Sequence, residues 1–300
     1  AALSSDDLNQ LTSAQFQALT SRQIAALSTD QAANLTTEDL ASLTSGQIRA
    51  LTTRSIAALD SADLAALTTT QLAALTSAQV RALGTDDLIG LATATIASLG
   101  SAQLAMLTSS QITALSSDQL QALSSRQLAG LTTAQLAGMA SDDLRTLTSD
   151  QFQSLSTARL AALGSEQLGN LGSDQLQLLT SAQLRGLTTK QINTLGTEDL
   201  NVLTSEQFRQ LTTTQIAALN SEQVGKLQSD DLAALTSGQI RAIEVADLGA
   251  LDSTDLAALQ ASQMHGFSSA QLQALGTDDL RGLTSDALRG LAAEQIGYLT

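Results

Sequence analysis

Leu11-Thr12-Ser13-Ala14-Gln15-Phe16-Gln17-Ala18, followed at once by Leu19-Thr20-Ser21-Arg22-Gln23-Ile24-Ala25-Ala26, is the stretch that decides how this chain folds. The same eight-residue pattern, L-T-(S/T)-x-(Q/D)-(L/I)-x-A, runs from Leu3 to Tyr298 in thirty-seven copies without an insertion or deletion. So regular a register over such a length is the signature of a solenoid, in which each repeat contacts only its neighbours, and not of a globular enzyme. We number the octad positions 1 to 8, starting at the leucine.

Few regular structures tolerate a period of eight. In one continuous α-helix, eight residues at about 100° each turn about 800°, so an apolar stripe drifts by about 80° per octad and no face stays buried. Coiled coils need spacings near 3.5 or 3.67 residues. A plain strand puts positions 1 and 6 on opposite faces, because their parity differs. A β-solenoid is the remaining alternative, disfavoured by the Gln, Ala and Leu that follow position 3.

A broken helix fits. Position 2 is Ser or Thr in 22 octads, Gly in 6 and Asp or Asn in 3, which is the residue set of a helix N-cap. Position 5 then falls at N3, with Gln in 23 octads and Asp in 10, and Thr-x-x-Gln is a capping box. Positions 1 and 6 become N′ and N4, both apolar in nearly every unit, which is a hydrophobic staple; Ala32 is the weakest member. One octad thus carries a full helix-start signal, and the next signal ends the helix eight residues later. The expectation is an all-α solenoid of helices about five to six residues long, one per octad.

Charge placement supports the frame. All 29 acidic residues lie at positions 2, 4 or 5, next to the positive end of each helix dipole. Of the 14 basic residues, Arg49, Arg81, Arg145, Arg185, Arg209, Arg241, Arg281 and Arg289 sit at position 7, toward the negative end. Position 3 is more restricted than capping requires: it is Ser or Thr except at Val245, Ala261 and Ala293. Two readings remain open. Position 3 is a crowded contact whose hydroxyls form a column between neighbouring coils, or it is itself the N-cap and the frame shifts by one.

Single octads cannot fold alone, because two large aliphatic side chains do not offset the entropy of ordering eight residues. Stability must come from stacking, helped by a small residue (Ala, Gly or Ser) at position 8 in 26 octads. The expected coil is a pair of octads, with three octads the next choice. Leucine points inward, and positions 4 and 7 face out and vary freely. Residues 1–300 read as one continuous array, repeats at 3–298, whose ends at Ala1-Ala2 and Leu299-Thr300 look cut from a longer one. Segments 192 residues apart match: Leu43 to Ala50 is identical to Leu235 to Ala242. Segmental duplication is the first reading of that match and a functional long period the second.

Composition narrows the function. A net charge of −15 argues against nucleic acid and anionic membrane surfaces as partners. No apolar run approaches the roughly 20 residues of a membrane helix, and without cysteine there is neither a disulfide nor a Cys metal site. His265, the only histidine, stands at position 7 with no second His or Cys, so it is read as an incidental surface residue. Without a partnered histidine no serine is activated. The pairs Asp6-Asp7, Asp86-Asp87, Asp142-Asp143, Asp230-Asp231 and Asp278-Asp279 are read as helix-start acids, with loose surface cation binding the second reading, since no D-x-D-x-D-G loop surrounds them. Asn34-Leu35-Thr36 matches a glycosylation pattern once, near chance. Gly84, Gly100, Gly164, Gly172, Gly196 and Gly276 occupy the cap position and form no phosphate loop. No residue is assigned a catalytic, cofactor-binding or metal-ligating role, and no cofactor or small-molecule ligand is expected.

Units such as Leu131-Thr132-Thr133-Ala134-Gln135-Leu136-Ala137 and Leu211-Thr212-Thr213-Thr214-Gln215-Ile216-Ala217 resemble L-T-x-x-Q-(I/L)-x-A tracts in very large bacterial proteins. Those proteins are commonly labelled adhesin-, haemolysin- or haem-utilisation-like and look like exported surface proteins. The resemblance implies an extracellular or cell-surface, non-catalytic repeat rod that presents other domains. His265 and three methionines supply no haem-ligand pattern. Two other readings are an extended binding surface for a polymer or peptide, and a subunit of an end-to-end filament. The expected partners are copies of the repeat itself.

Overall fold

Each octad folds as one short helix, closed by the start signal of the next. The computed structural model describes residues 3–299; Ala1, Ala2 and Thr300, on which the reading of cut ends rests, lie outside the described residues. Among the described residues there are thirty-seven helices of four to six residues and no strand, so the β-solenoid alternative does not hold. The first four are α1 (Ser5–Leu8), α2 (Ser13–Ala18), α3 (Ser21–Ala25) and α4 (Thr29–Ala33).

Position 2 is the N-cap, and position 3 is the first helical residue. The shifted frame is therefore excluded. At Thr12 the cap is extended, with φ −73° and ψ 157°. The Gln15 N–H donates to Thr12 Oγ1 at 3.3 Å, and the Thr12 N–H donates to Gln15 Oε1 at 2.8 Å, closing the capping box. The glycine caps Gly100, Gly164 and Gly276 keep half of the box, as where the Gly100 N–H donates to Gln103 Oε1 at 3.1 Å. The helix stops when the position-1 amide turns back on position 6, as in Leu19 N to Phe16 O at 3.1 Å.

Helices three octads apart pack on one another: α1 on α4, α2 on the helix Thr37–Ser42, α3 on the helix Ser45–Ala50. One coil is therefore three octads, 24 residues, and not the expected pair. The backbone supplies the reason. Successive helices are joined by a short extended link at positions 1 and 2, and no described residue has a positive φ. Such a link bends the chain at each octad, and the bends close a coil after three helices. The 192-residue spacing of near-identical segments thus equals eight whole coils.

The contacts group into two compact units, Ala1–Leu155 and Ser156–Thr300. Each is built the same way. Position-6 side chains fill the core and are sealed: Leu64, Leu104 and Phe152 in the first unit, and Leu160, Ile192 and Phe208 in the second, are 0% exposed. Position-1 leucines line it beside them, with Leu131 at 0% and Leu235 at 2%. The first coil leaves Leu3 53% exposed while Leu8 is buried, and the last leaves Ile296 56% exposed while Leu291 is buried. Position 1 therefore packs toward the preceding coil and position 6 toward the following one.

Position 3 meets position 8 of the octad three further on, where coils approach most closely. A Cβ added at Gly266 would stand 2.1 Å from the Ser237 carbonyl oxygen, and one at Gly186 would stand 2.6 Å from Thr157 Cβ. Small volume at position 3 follows from that contact. Its hydroxyl has an inter-coil acceptor at particular sites and does not form a column: Ser109 Oγ donates to Ala134 O at 3.2 Å, whereas Thr29 and Thr37 are exposed. Gly266→Val should lower stability by about 1–3 kcal/mol through overpacking. Gly249→Ala, with no neighbour closer than 3.9 Å, should leave it near neutral. Thermal melting of both variants checks this, and equal melting temperatures would remove the close-approach account.

Candidate functional site

Among the described residues the side chains singled out above do not meet in one cleft. What recurs is a side chain that joins three octads. Gln47, at position 5, accepts from Thr44 N at 2.7 Å and Thr44 Oγ1 at 2.9 Å through Oε1. Its Nε2 donates to Phe16 O at 2.7 Å and Leu19 O at 2.9 Å, in the coil below. The oxygen caps its own helix. The nitrogen caps the C-terminal end of an earlier helix and the link that follows it. Gln71 does the same on Leu40 and Leu43 (2.8 and 2.7 Å), and Gln135 on Leu104 and Leu107 (both 2.7 Å). In the second unit, Gln191 bonds Leu160 and Leu163 (2.8 and 3.0 Å), and Gln239 bonds Phe208 and Leu211 (2.9 and 2.8 Å). These amides are buried; Gln119 and Gln271 are 1% exposed.

Helix ends leave carbonyls without partners, and a five-residue helix is almost all ends. The glutamine supplies the missing donors in the dry interior, where a lone carbonyl is costly. Glutamate could close the capping box equally well but has no N–H to give. Position 5 never holds Glu, which would carry a full-length carboxylate to those carbonyls, whereas Asp, one methylene shorter and equally without a donor, stands there in 10 octads. That exclusion was the sequence signal for this ladder, and reading position 5 as a capping residue alone misses it.

Position 7 carries a second ladder, so it is not simply a free outer position. Asn193 Nδ2 donates to Ala218 O at 2.9 Å, Gln121 Nε2 to Thr146 O at 2.9 Å, and Arg49 Nε to Ala74 O at 2.9 Å. Each reaches the position-8 carbonyl one coil on. Arginine at position 7 thus acts by direct donation to a helix end as well as through the dipole. Arg281 and Arg289 instead pair with Asp278 at 2.9 Å and Asp286 at 2.7 Å, exposed contacts worth little.

The singled-out residues do not converge. His265 is exposed at the end of the helix Ala261–Met264. Among the described residues no group of three His, Cys, Asp or Glu side chains could hold a metal ion. Asp7 accepts from Ser4 Oγ at 2.7 Å and Ser4 N at 3.0 Å, helix-start chemistry that holds its pKa below the ordinary value. Asp279 accepts from Gly276 N at 2.7 Å. Asn34 Nδ2 donates to Asp30 O at 2.7 Å, closing its own helix. The glycine caps are extended, φ −68° at Gly84 and −62° at Gly196.

Aspartates at position 5 carry the ladder's electrostatic strain. Burial pushes Asp63, Asp87, Asp143, Asp199 and Asp231 above the usual carboxylate range, with neighbouring acids adding to it. A carboxyl whose folded pKa is raised binds its proton more tightly in the folded chain. Its contribution is therefore greatest below 3.8, the ordinary value, and is lost as pH rises through the raised folded values. Asp7 and Asp252 run the other way, but their contribution fades only as pH falls below 3.8.

Two measurements follow from the ladder. Gln111→Glu keeps the acceptor toward Thr108 N but loses the donor to Val80 O and Leu83 O. It should cost about 2–4 kcal/mol in a denaturant titration, and an unchanged midpoint would show that the inter-coil bonds do not matter. The wild-type melting temperature should rise as pH falls from neutrality toward 3.8, and a steady fall across that window contradicts the assignment.

The comparisons with known proteins concern the repeat. The family model described as the ALTTAQ repeat matches residues 1–37, 56–88, 82–117, 136–173, 192–229 and 224–259, together more than half of the chain. No curated protein matches significantly.

Proposed function

The chain belongs to the ALTTAQ repeat family, and from that premise we propose that it is a non-catalytic structural spacer. In this reading it is a stalk of a large secreted or surface-attached bacterial protein, holding other domains away from the cell. The observation that carries the proposal is the use of the polar side chains. Position 2 caps its own helix, position 5 joins three octads, and amides and arginines at position 7 reach the next coil. Little chemistry is left to act on a substrate. Among the described residues no helix is long and apolar enough to cross a membrane.

The mechanism is geometric. Each glutamine rung is satisfied by the coils beside it, so adding coils adds length without a new design. The net charge of −15 keeps neighbouring stalks soluble and apart. The position-4 acids lie on the outside, where they repel copies of the same surface.

The test is a length series. Inserting a duplicate of residues 43–66, three octads, should increase the maximum dimension measured by small-angle X-ray scattering by roughly 10 Å, one packed-helix spacing. A second insertion should add the same increment. A maximum dimension that does not grow with inserted coils overturns the spacer reading.

A further inference from the structure

Asp231 is a rung without its donor. It stands at position 5, where Gln207, Gln223 and Gln239 nearby each give at least two hydrogen bonds to the coil below. Those glutamines reach carbonyls 31 and 28 residues earlier, so the same register assigns Leu200 and Leu203 to residue 231. An aspartate has no N–H for either. Its side chain is 3% exposed. Oδ1 accepts from Ser205 Oγ at 3.0 Å, while Oδ2 is buried with no hydrogen-bond partner.

Other buried aspartates of the ladder differ. Asp39 Oδ2 accepts from Thr36 Oγ1 at 2.6 Å, and Asp63 Oδ2 accepts from Asp60 N at 3.2 Å. Where a glutamine would bring a donor to two main-chain carbonyls, Asp231 brings a carboxylate oxygen that has no donor of its own. Oxygen-only surroundings with one buried negative charge suit a hard cation. A single buried carboxylate balances one positive charge. Magnesium demands octahedral geometry and keeps its water, and calcium seeks six to eight oxygens, more than this rung presents.

We propose that Asp231 Oδ2, with the Leu200 and Leu203 carbonyls, binds a monovalent cation of the sodium class, which joins the coils there as the amide nitrogen does in the glutamine rungs. Access runs beside Ser205, which lines a shallow surface groove of about 490 Å³ with Glu206, Arg209, Ala233 and Ala234. Glu206 draws cations to the groove mouth, and the adjacent Asp230 adds negative potential. A proton is the competing occupant, because burial raises the proton affinity of the same carboxyl.

Sodium-23 NMR on the full chain tests this. NaCl is titrated at neutral pH, with tetramethylammonium chloride holding the ionic strength constant. The wild type should show a saturable excess line broadening. Asp231→Gln, which restores the amide, should remove that saturable component while keeping a helical circular dichroism spectrum. Asp230→Asn, at an exposed acid beside it, should retain the component. Asp231→Asn serves if the glutamine variant does not fold. Equal broadening in all three proteins means diffuse counterions only and overturns the proposal. So does a wild type with no saturable component, or a loss equally large in Asp230→Asn.

Discussion

The buried glutamine at position 5 is the constraint on which the rest depends. A helix of four to six residues has more unsatisfied main-chain groups than satisfied ones. Water cannot serve those that face the core. Gln47 answers three of them at once, one with its oxygen and two with its nitrogen. Because the acceptors lie 28 and 31 residues back, the bond can form only if the coil closes every three octads. Helix length, coil size and hydrogen-bond satisfaction are one solution to one problem.

Packing enforces the same period. Position 1 faces the coil before and position 6 the coil after, so every layer interlocks two coils with aliphatic side chains. The close approach of position 8 to position 3, as between Gly266 and Ser237, sets how tightly they stack. Aspartate at position 5 relaxes the polar half of this arrangement while the apolar half continues. That is how Asp231 sits in a well-packed core with an unanswered oxygen. It also places ionisable groups where their charge opposes folding, which reverses the usual stabilising role of carboxylates near neutral pH.

The helix-start chemistry was legible in one octad. Thr12, Gln15, Leu11 and Phe16 spell cap, box and staple by local spacing alone, and the structure places each in that role. Two features were not legible there. The donor side of Gln47 acts across about thirty residues, and in the repeat it is indistinguishable from a local cap except by the absence of Glu. Asn193 and Arg49 at position 7 look like variable surface residues because Asn, Gln and Arg all reach the same carbonyl, so no single residue type marks the contact.

By itself, the sequence determined everything that acts within eight residues: where each helix begins, why it stops, which two side chains turn inward and where the charges fall. Those are short-range effects, settled by hydrogen bonds and dipoles inside one octad. Only the tertiary structure decided that three octads make a coil, that position 5 donates as well as accepts, and that position 3 is small because position 8 of the next coil lies against it. A repeat with a period of eight is equally compatible with coils of sixteen or twenty-four residues. The choice rests on how far an extended two-residue link can turn the chain, and on which carbonyls then come within reach of an amide.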